Sequence, residues 1–317
     1  MNAAGGCRER KLETNVSEQG AEPLRCCGYG DESRFNVGRY RSIALVSLEE
    51  RHEDSLENKI RKMLDESDVT EFKWVKLNGA KERFAAIKLL SLLVDQAVDG
   101  RLRADVLIWD TMDKRHIVNR RDDIANLERM YYQLLKNVLR ERWPDESLWA
   151  IFPDEHTSLD WNSIQQYLSR ASFELEIEPK LFTGWNFRMT LRTEFKITKI
   201  LPCESCDVPL IQVADLLAGL GAYSCQKYDT YEQWLRASSS QQELSFDVVK
   251  QECKLSGSDR ERVQVLKEFD RMCKERALGV SLKTERGLRT FNPERPLNFW
   301  LYKPQSDKDK APVKIED

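Results

Sequence analysis

Residues 106–154 open on VLIWD (Val106–Asp110), pass through a charged stretch, and close on LWAIFPD (Leu148–Asp154). Between the two runs, Ile124, Leu127, Met130, Tyr131, Leu134 and Val138 recur at helical spacing from about Asp122 to Arg142. A short apolar run without a polar face fits a strand covered on both sides. Two such strands joined by an amphipathic helix form a βαβ unit and predict an α/β fold with a buried sheet.

The flanks extend this pattern. A strand through Cys26–Tyr29 runs into Asp31-Glu32-Ser33, and a second covers Ser42–Ser47 (SIALVS). Glu49–Ser67 is helical by the spacing of Leu56, Ile60, Met63 and Leu64, Thr70–Leu77 (TEFKWVKL) reads as a short strand, and Ala80–Val98 as a helix. Met189–Leu201 alternates apolar and polar residues, as one half-buried strand does. The helix from Val208 to about Gln226 has Asp207 as its expected N-cap and Pro209 in its first turn. Ser-rich residues 237–242 mark a boundary, followed by a helix around Arg260–Arg276 and a segment from Gly287 to Pro304. The expected organisation is an N-terminal arm (1–22), a core domain (23–236), a C-terminal helical appendage (237–305) and a charged tail (306–317).

Composition narrows the class. Hydrophobic residues make up 41% of 317, and only 14 Gly and 10 Pro are present, so the chain is neither low-complexity nor collagen-like. With 50 basic and 53 acidic residues the net charge is −3, which excludes nucleic-acid binding by bulk positive charge. Such binding would need metal ions or local basic strips. Two strips qualify: Lys114-Arg115-His116 with Arg120-Arg121, and Arg188, Arg192 and Lys196 near Trp185 and Phe187, where aromatics could stack on bases. Eight cysteines are too sparse for a disulfide scaffold, and no apolar run approaches a signal peptide or membrane span, so a cytoplasmic protein without a membrane partner is expected. Cys203-Glu204-Ser205-Cys206 lacks the second pair that a structural zinc site needs, and no Walker, dinucleotide or G-x-S-x-G motif is present.

The chemistry sits in carboxylates. Asp31, Asp110 and Asp154 each follow directly on an apolar strand, and ligand sites of α/β sheets lie beyond the carboxyl ends of the strands. Asp215 lies in VPLIQVADLLAGLGAY, apolar on nearly every face, where an isolated carboxylate is costly unless paired, protonated or bound to a metal. Gln212, Asp215, Gly219 and Ala222 form one stripe whose small members admit close approach of another element. Glu71 and Lys73, two apart in an extended segment, project to the same side. A Glu-x-Lys pair of this kind serves in nucleases, the acid on a metal and the lysine near the attacking water. His156, beside Asp154-Glu155, is placed to contact a leaving group, although a surface histidine is the commoner case.

The ordered set YGDES (Tyr29–Ser33), EFKW (Glu71–Trp74), IFPDE (Ile151–Glu155) and IQVADLLAG (Ile211–Gly219) resembles the domain-of-unknown-function three-thousand-eight-hundred family of bacteria and mobile elements. The closing GLRTFNPERPLNFWLYKP is similar to the end of some members, and the family's Gly after Asp-Glu-Ser is Arg34 here. The resemblance implies an RNase H-like mixed sheet flanked by helices, an acidic metal site and phosphodiester chemistry. On that basis Asp31 is the first-strand acid, Asp154 the acid of a later parallel strand and Asp215 the acid of the closing helix, with Glu71 a fourth member and Asp110 an outer ligand. Oxygen ligands suit Mg²⁺ or Mn²⁺, and two ions ~3.5–4 Å apart would clamp the attacking and leaving oxygens of an in-line displacement. The expected activity is a divalent-metal-dependent nuclease or strand-transfer enzyme acting on DNA or RNA. Two alternatives stand beside it: a restriction-endonuclease-like site on Asp31 with Glu71-x-Lys73, and a catalytically silent nucleic-acid-binding or scaffold subunit of a mobile-element or defence complex. Assembly as a homo-oligomer or as a complex subunit is left open.

Overall fold

The computed structural model describes residues 22–33, 36–113, 122–156, 158–178, 188–240, 255–282 and 286–304. The chain runs β1 (Arg25–Ser33), β2 (Tyr40–Glu49), α1 (Glu53–Glu66), α2 (Ala80–Val98), β3 (Leu102–Asp110), α3 (Asp123–Glu141) and β4 (Ser147–Pro153). It continues through α4 (Trp161–Ala171), β5 (Phe173–Glu178), β6 (Arg188–Thr193), β7 (Phe195–Ile200), α5 (Pro209–Gln226) and α6 (Tyr228–Ser240). It ends with α7 (Gly257–Glu275), β8 (Val280–Ser281), β9 (Arg289–Thr290) and β10 (Leu297–Leu301).

Six strands form one sheet in the order β10-β3-β2-β1-β4-β7. β1, β2 and β3 make an antiparallel meander, while β4 lies parallel to β1, β7 parallel to β4 and β10 parallel to β3. A 3-2-1 meander continued by parallel strands on the far side of β1 is the RNase H-like arrangement, so the fold class expected from the sequence holds.

The sheet is buried on both faces. Cys27 and Tyr29 of β1 join the core under α1, α2, α5 and α7, whereas Cys26 joins the second core under α3 and α4. Period-two alternation therefore assigns Asp31 to the α5 face and Glu32 to the α3 face. Trp149 and Phe195 are completely buried in the second core, each contributing roughly 1.5–3 kcal/mol of transfer free energy. α5 is apolar all round because it is covered all round: every residue from Pro209 to Cys225 is buried, between the sheet on one side and α1, α2, α6 and residues 74–76 on the others.

Four expectations are corrected. Residues 70–77 form no strand; the only regular element there is a 3-10 turn at Trp74–Lys76, because the backbone amides bond to side chains of α5 instead of a neighbouring strand. The strand expected over 189–201 is broken at Glu194, whose amide donates to the Ser172 carbonyl at 2.8 Å. As a result β6 pairs with β5 in a separate ribbon and β7 with β4 in the main sheet. Asp207 does not cap α5, whose N-cap is Val208 without a side-chain bond. Finally, 237–305 is no detached appendage: α7 packs on α2, and β10 extends the main sheet beside β3.

Candidate active site

The carboxyl ends of β1 and β4 lie side by side. Their parallel pairing runs to Gly30 opposite Pro153, and the Asp154 amide donates to the Gly30 carbonyl at 2.7 Å, which sets Asp31 and Asp154 level. A parallel bridge from Asp154 to Cys203 fixes the other flank. Phe152 packs against the α5-side core, so Asp154, two residues on, projects to the same face as Asp31.

The third acid arrives on α5. Residues 71–76 lie along that helix as a strap that closes in the 3-10 turn at Trp74–Lys76. Phe72 donates its amide to Gln212 Oε1 at 2.8 Å, Gln212 Nε2 donates to the Ser205 carbonyl at 2.7 Å, and the Trp74 amide donates to Asp215 Oδ2 at 2.6 Å. Gly219 makes the contact close: a Cβ there would stand 2.1 Å from the Trp74 ring. Burying Phe72 and Trp74 against the core turns Lys73 the other way, where its Nζ donates to Asp154 Oδ2 at 3.0 Å.

One residue that the sequence reading did not single out, Glu32, completes the centre. Glu32, on the opposite face of β1, accepts a hydrogen bond from the Tyr131 hydroxyl at 2.6 Å, and His156 Nε2 lies 3.8 Å from its other oxygen. The available signal was the adjacency of two acids in Asp31-Glu32, which on a strand must face opposite layers.

Electrostatics bind these groups into one unit. Burial, then the charges of Asp215, Glu32 and Asp154, hold the Asp31 carboxyl well above the usual range, and only Lys73 pulls the other way. Burial pushes Asp215 up to about 7, against the Trp74 amide and Lys73, which favour its charged form. Glu32 is raised by burial, opposed by the Tyr131 hydroxyl. Burial disfavours the Lys73 ammonium, yet the surrounding charges of Asp31, Asp154 and Asp215 outweigh it and hold its pKa above the ordinary value. Asp31, Asp154 and Asp215 thus share one lysine, and Glu32 adds its negative charge from the other face of β1. Such a set either takes up protons or attracts a cation, and its all-oxygen donors suit a hard divalent ion.

Other sequence candidates fall outside this centre. Asp110 ends β3 at the same edge of the sheet, but it is two strands from β1 and is held bidentately by Arg39, with Nη2 to Oδ2 at 2.7 Å. Its expected place as an outer ligand is therefore corrected to a salt bridge. Glu71 stands beside the centre: its oxygens accept from Ser205 Oγ at 2.8 Å and Lys76 Nζ at 3.3 Å, and Lys73 Nζ lies 3.9 Å away. Lys196 is exposed on β7. Arg188 and Arg192 lie on β6, in register with Glu178 and Glu174 of β5. Residues 114–121, Arg34, Trp185 and Phe187 lie outside the described residues. Among the described residues, Glu204, Cys206 and Asp207 bring ligand atoms within 4.8 Å of one another, all three at the surface. No helix among the described residues is long and apolar enough to cross a membrane.

The fold and site define an RNase H-like α/β protein with a buried carboxylate centre at the ends of its first and fourth strands. The chain belongs to the family of two uncharacterised proteins of Methanothermobacter thermautotrophicus. It is 38% identical to ORF2′ and 36% identical to ORF2, each over 90% of this chain and 97% of the relative. No family model matches. A chain of the PCNA:RNase HII complex from Archaeoglobus fulgidus overlays 72% of this chain and 82% of its own length, at 12% identity and a TM-score of 0.35.

Proposed function

We propose that the protein is a divalent-metal-dependent phosphodiesterase acting on nucleic acid, a nuclease or strand-transfer enzyme, within the domain-of-unknown-function three-thousand-eight-hundred family. One observation carries this reading: Asp31, Asp154 and Asp215, from three distant parts of the chain, direct their charges at one another around a single lysine. Asp31, Asp215, Glu32 and Asp154 would hold Mg²⁺ or Mn²⁺, which when bound supplies charge neutralisation at a scissile phosphate and an activated water.

The chain's own groups supply the rest. Lys73 offers a fixed ammonium to a phosphate oxygen or to the attacking water. His156, 15% exposed at the rim beside Glu32, is positioned to give a proton to a leaving oxygen. Lys196 and Lys199 line the edge strand, and Lys199 lies over the Phe152 ring at 4.8 Å, two residues from Asp154. These two exposed cations provide the local positive strip that net charge alone does not.

The placement of residues 71–73 favours this reading over a restriction-endonuclease-like site. Glu71 and Lys73 do not share a sheet strand with the acids, and Asp215 rather than Glu71 faces Asp31.

The test incubates the purified protein with Mn²⁺ or Mg²⁺ and labelled single-stranded DNA, duplex DNA, RNA or RNA–DNA hybrid. Cleavage of at least one of these is expected, with a loss of more than about 10²-fold in Asp31→Asn, Asp154→Asn and Asp215→Asn. Cleavage that persists in all three variants rejects the reading. Binding without cleavage under either ion identifies a silent nucleic-acid-binding protein instead.

A further inference from the structure

We infer that Lys73 is a built-in cation of the carboxylate centre, so that the site takes one divalent ion per chain and admits a second only when this lysine is removed. The inference deepens the metal-site reading above and rests on it.

The lysine cannot easily leave. The residues on either side of it are pinned to α5, Phe72 through Gln212 at 2.8 Å and Trp74 through Asp215 at 2.6 Å. Its ammonium pairs with Asp154 at 3.0 Å and lies 3.9 Å from Glu71. Swinging Lys73 outward would expose Asp154 to Asp31 without compensation.

The centre is therefore divided. On the Asp154 side a carboxylate already has its counter-charge. On the Asp31 side Lys73 acts through space without contact: Asp31 is 5% exposed, accepts a hydrogen bond only from the adjacent Glu32 amide at 2.6 Å, and has no cation within 4.0 Å among the described residues. Asp215 likewise takes its one hydrogen bond from a neutral backbone amide.

A divalent ion entering between Asp31 and Asp215 meets carboxylates that no cation contacts. A second ion seeking Asp154 must displace the ammonium or stand close beside it. Like charges at ~4 Å in a partly screened site repel strongly enough to weaken binding by more than tenfold. Two-ion sites hold their ions ~3.5–4 Å apart, the scale on which Lys73 occupies this centre.

The experiment counts ions. Room-temperature electron paramagnetic resonance follows free Mn²⁺ during titration of the wild-type chain and of Lys73→Met, Lys73→Gln, Lys73→Arg and Asp31→Asn, each checked for folding by circular dichroism. One ion per wild-type chain, one in Lys73→Arg and two in the folded neutral variants is the expected result. Two ions in the wild type, or one in both neutral variants, overturns the inference. Asp31→Asn separates the two layers of reasoning: if it binds Mn²⁺ as the wild type does, the metal-site reading itself fails.

Discussion

The indole of Trp74 occupies the space where a side chain on Gly219 would go, with Trp74 Cγ 2.1 Å from a Cβ built there. The amide of the same tryptophan donates to Asp215, one helical turn earlier on α5. Arg262 closes the arrangement, its guanidinium 5.4 Å from the Trp74 ring centre and its Nη2 donating to the Trp74 carbonyl at 3.1 Å. A notch in a helix thus positions both a buried acid and, one residue back along the strap, the lysine of the centre.

Gly219→Ala tests the notch. Alanine ordinarily stabilises a helix interior by about 1 kcal/mol over glycine, but overpacking a rigid ring costs about 1–3 kcal/mol. A net destabilisation of up to about 2 kcal/mol in urea unfolding is expected. Gly257→Ala serves as the control, because an added Cβ there meets nothing within 4 Å. It should be neutral or stabilising by up to about 1 kcal/mol. Equal unfolding midpoints for the two variants would show that the notch imposes no constraint.

Gln212→Leu removes one of the two hydrogen bonds that tie the strap to α5, together with the bond from Gln212 to the Ser205 carbonyl, and leaves the Trp74–Asp215 bond in place. The Phe72 amide and the Ser205 carbonyl are left without their partner, at a cost of about 1–3 kcal/mol. Hydrogen exchange at the Phe72 amide should accelerate more than global unfolding accounts for. If its protection falls only in step with the global stability, the Gln212 bond does not hold the strap.

The raised carboxyls set a pH dependence for the metal-free chain. Asp215 titrates at about 7 when folded against 3.8 as the ordinary value, and Asp31 and Glu32 shift the same way. Such groups bind protons more tightly folded than unfolded, so the contribution of Asp215 is full below about pH 4 and is lost as pH rises through about 7, and Asp31 and Glu32 add losses of the same sign. Stability in EDTA should fall from pH 5 to pH 8, on the order of 2 kcal/mol from Asp215 alone. Asp215→Asn should flatten that fall, and Mn²⁺ at pH 8 should reverse it. A metal-free chain whose urea midpoint rises over this interval contradicts the assignment.

Asp110→Asn and Arg39→Ala should leave Mn²⁺ affinity within about twofold of wild type. Their bidentate pair lies at the surface end of β3, with Arg39 half exposed, and exposed pairs contribute about 0–1 kcal/mol to stability. Calorimetric titration checks this. A tenfold loss of affinity in Asp110→Asn would return that acid to the centre.

The sequence alone determined the layers. Unbroken runs at 106–109 and 148–152 and the helical spacing across 122–142 are local periodicities, and burial on both faces follows from having no polar face to expose. It also placed acids at strand ends and marked Asp215 as a carboxylate with nowhere to go. It misread 70–77, since alternation is the same whether the amides bond to a strand or, as here, to Gln212 and Asp215. Strand order was beyond it too. Asp31 and Asp154 meet because β1 and β4 are neighbours, whereas Asp110, equally terminal in its own strand, is carried two strands away to Arg39. Which charges confront one another is a property of distance, and only the packed chain brings residues 31, 32, 73, 154 and 215 within range.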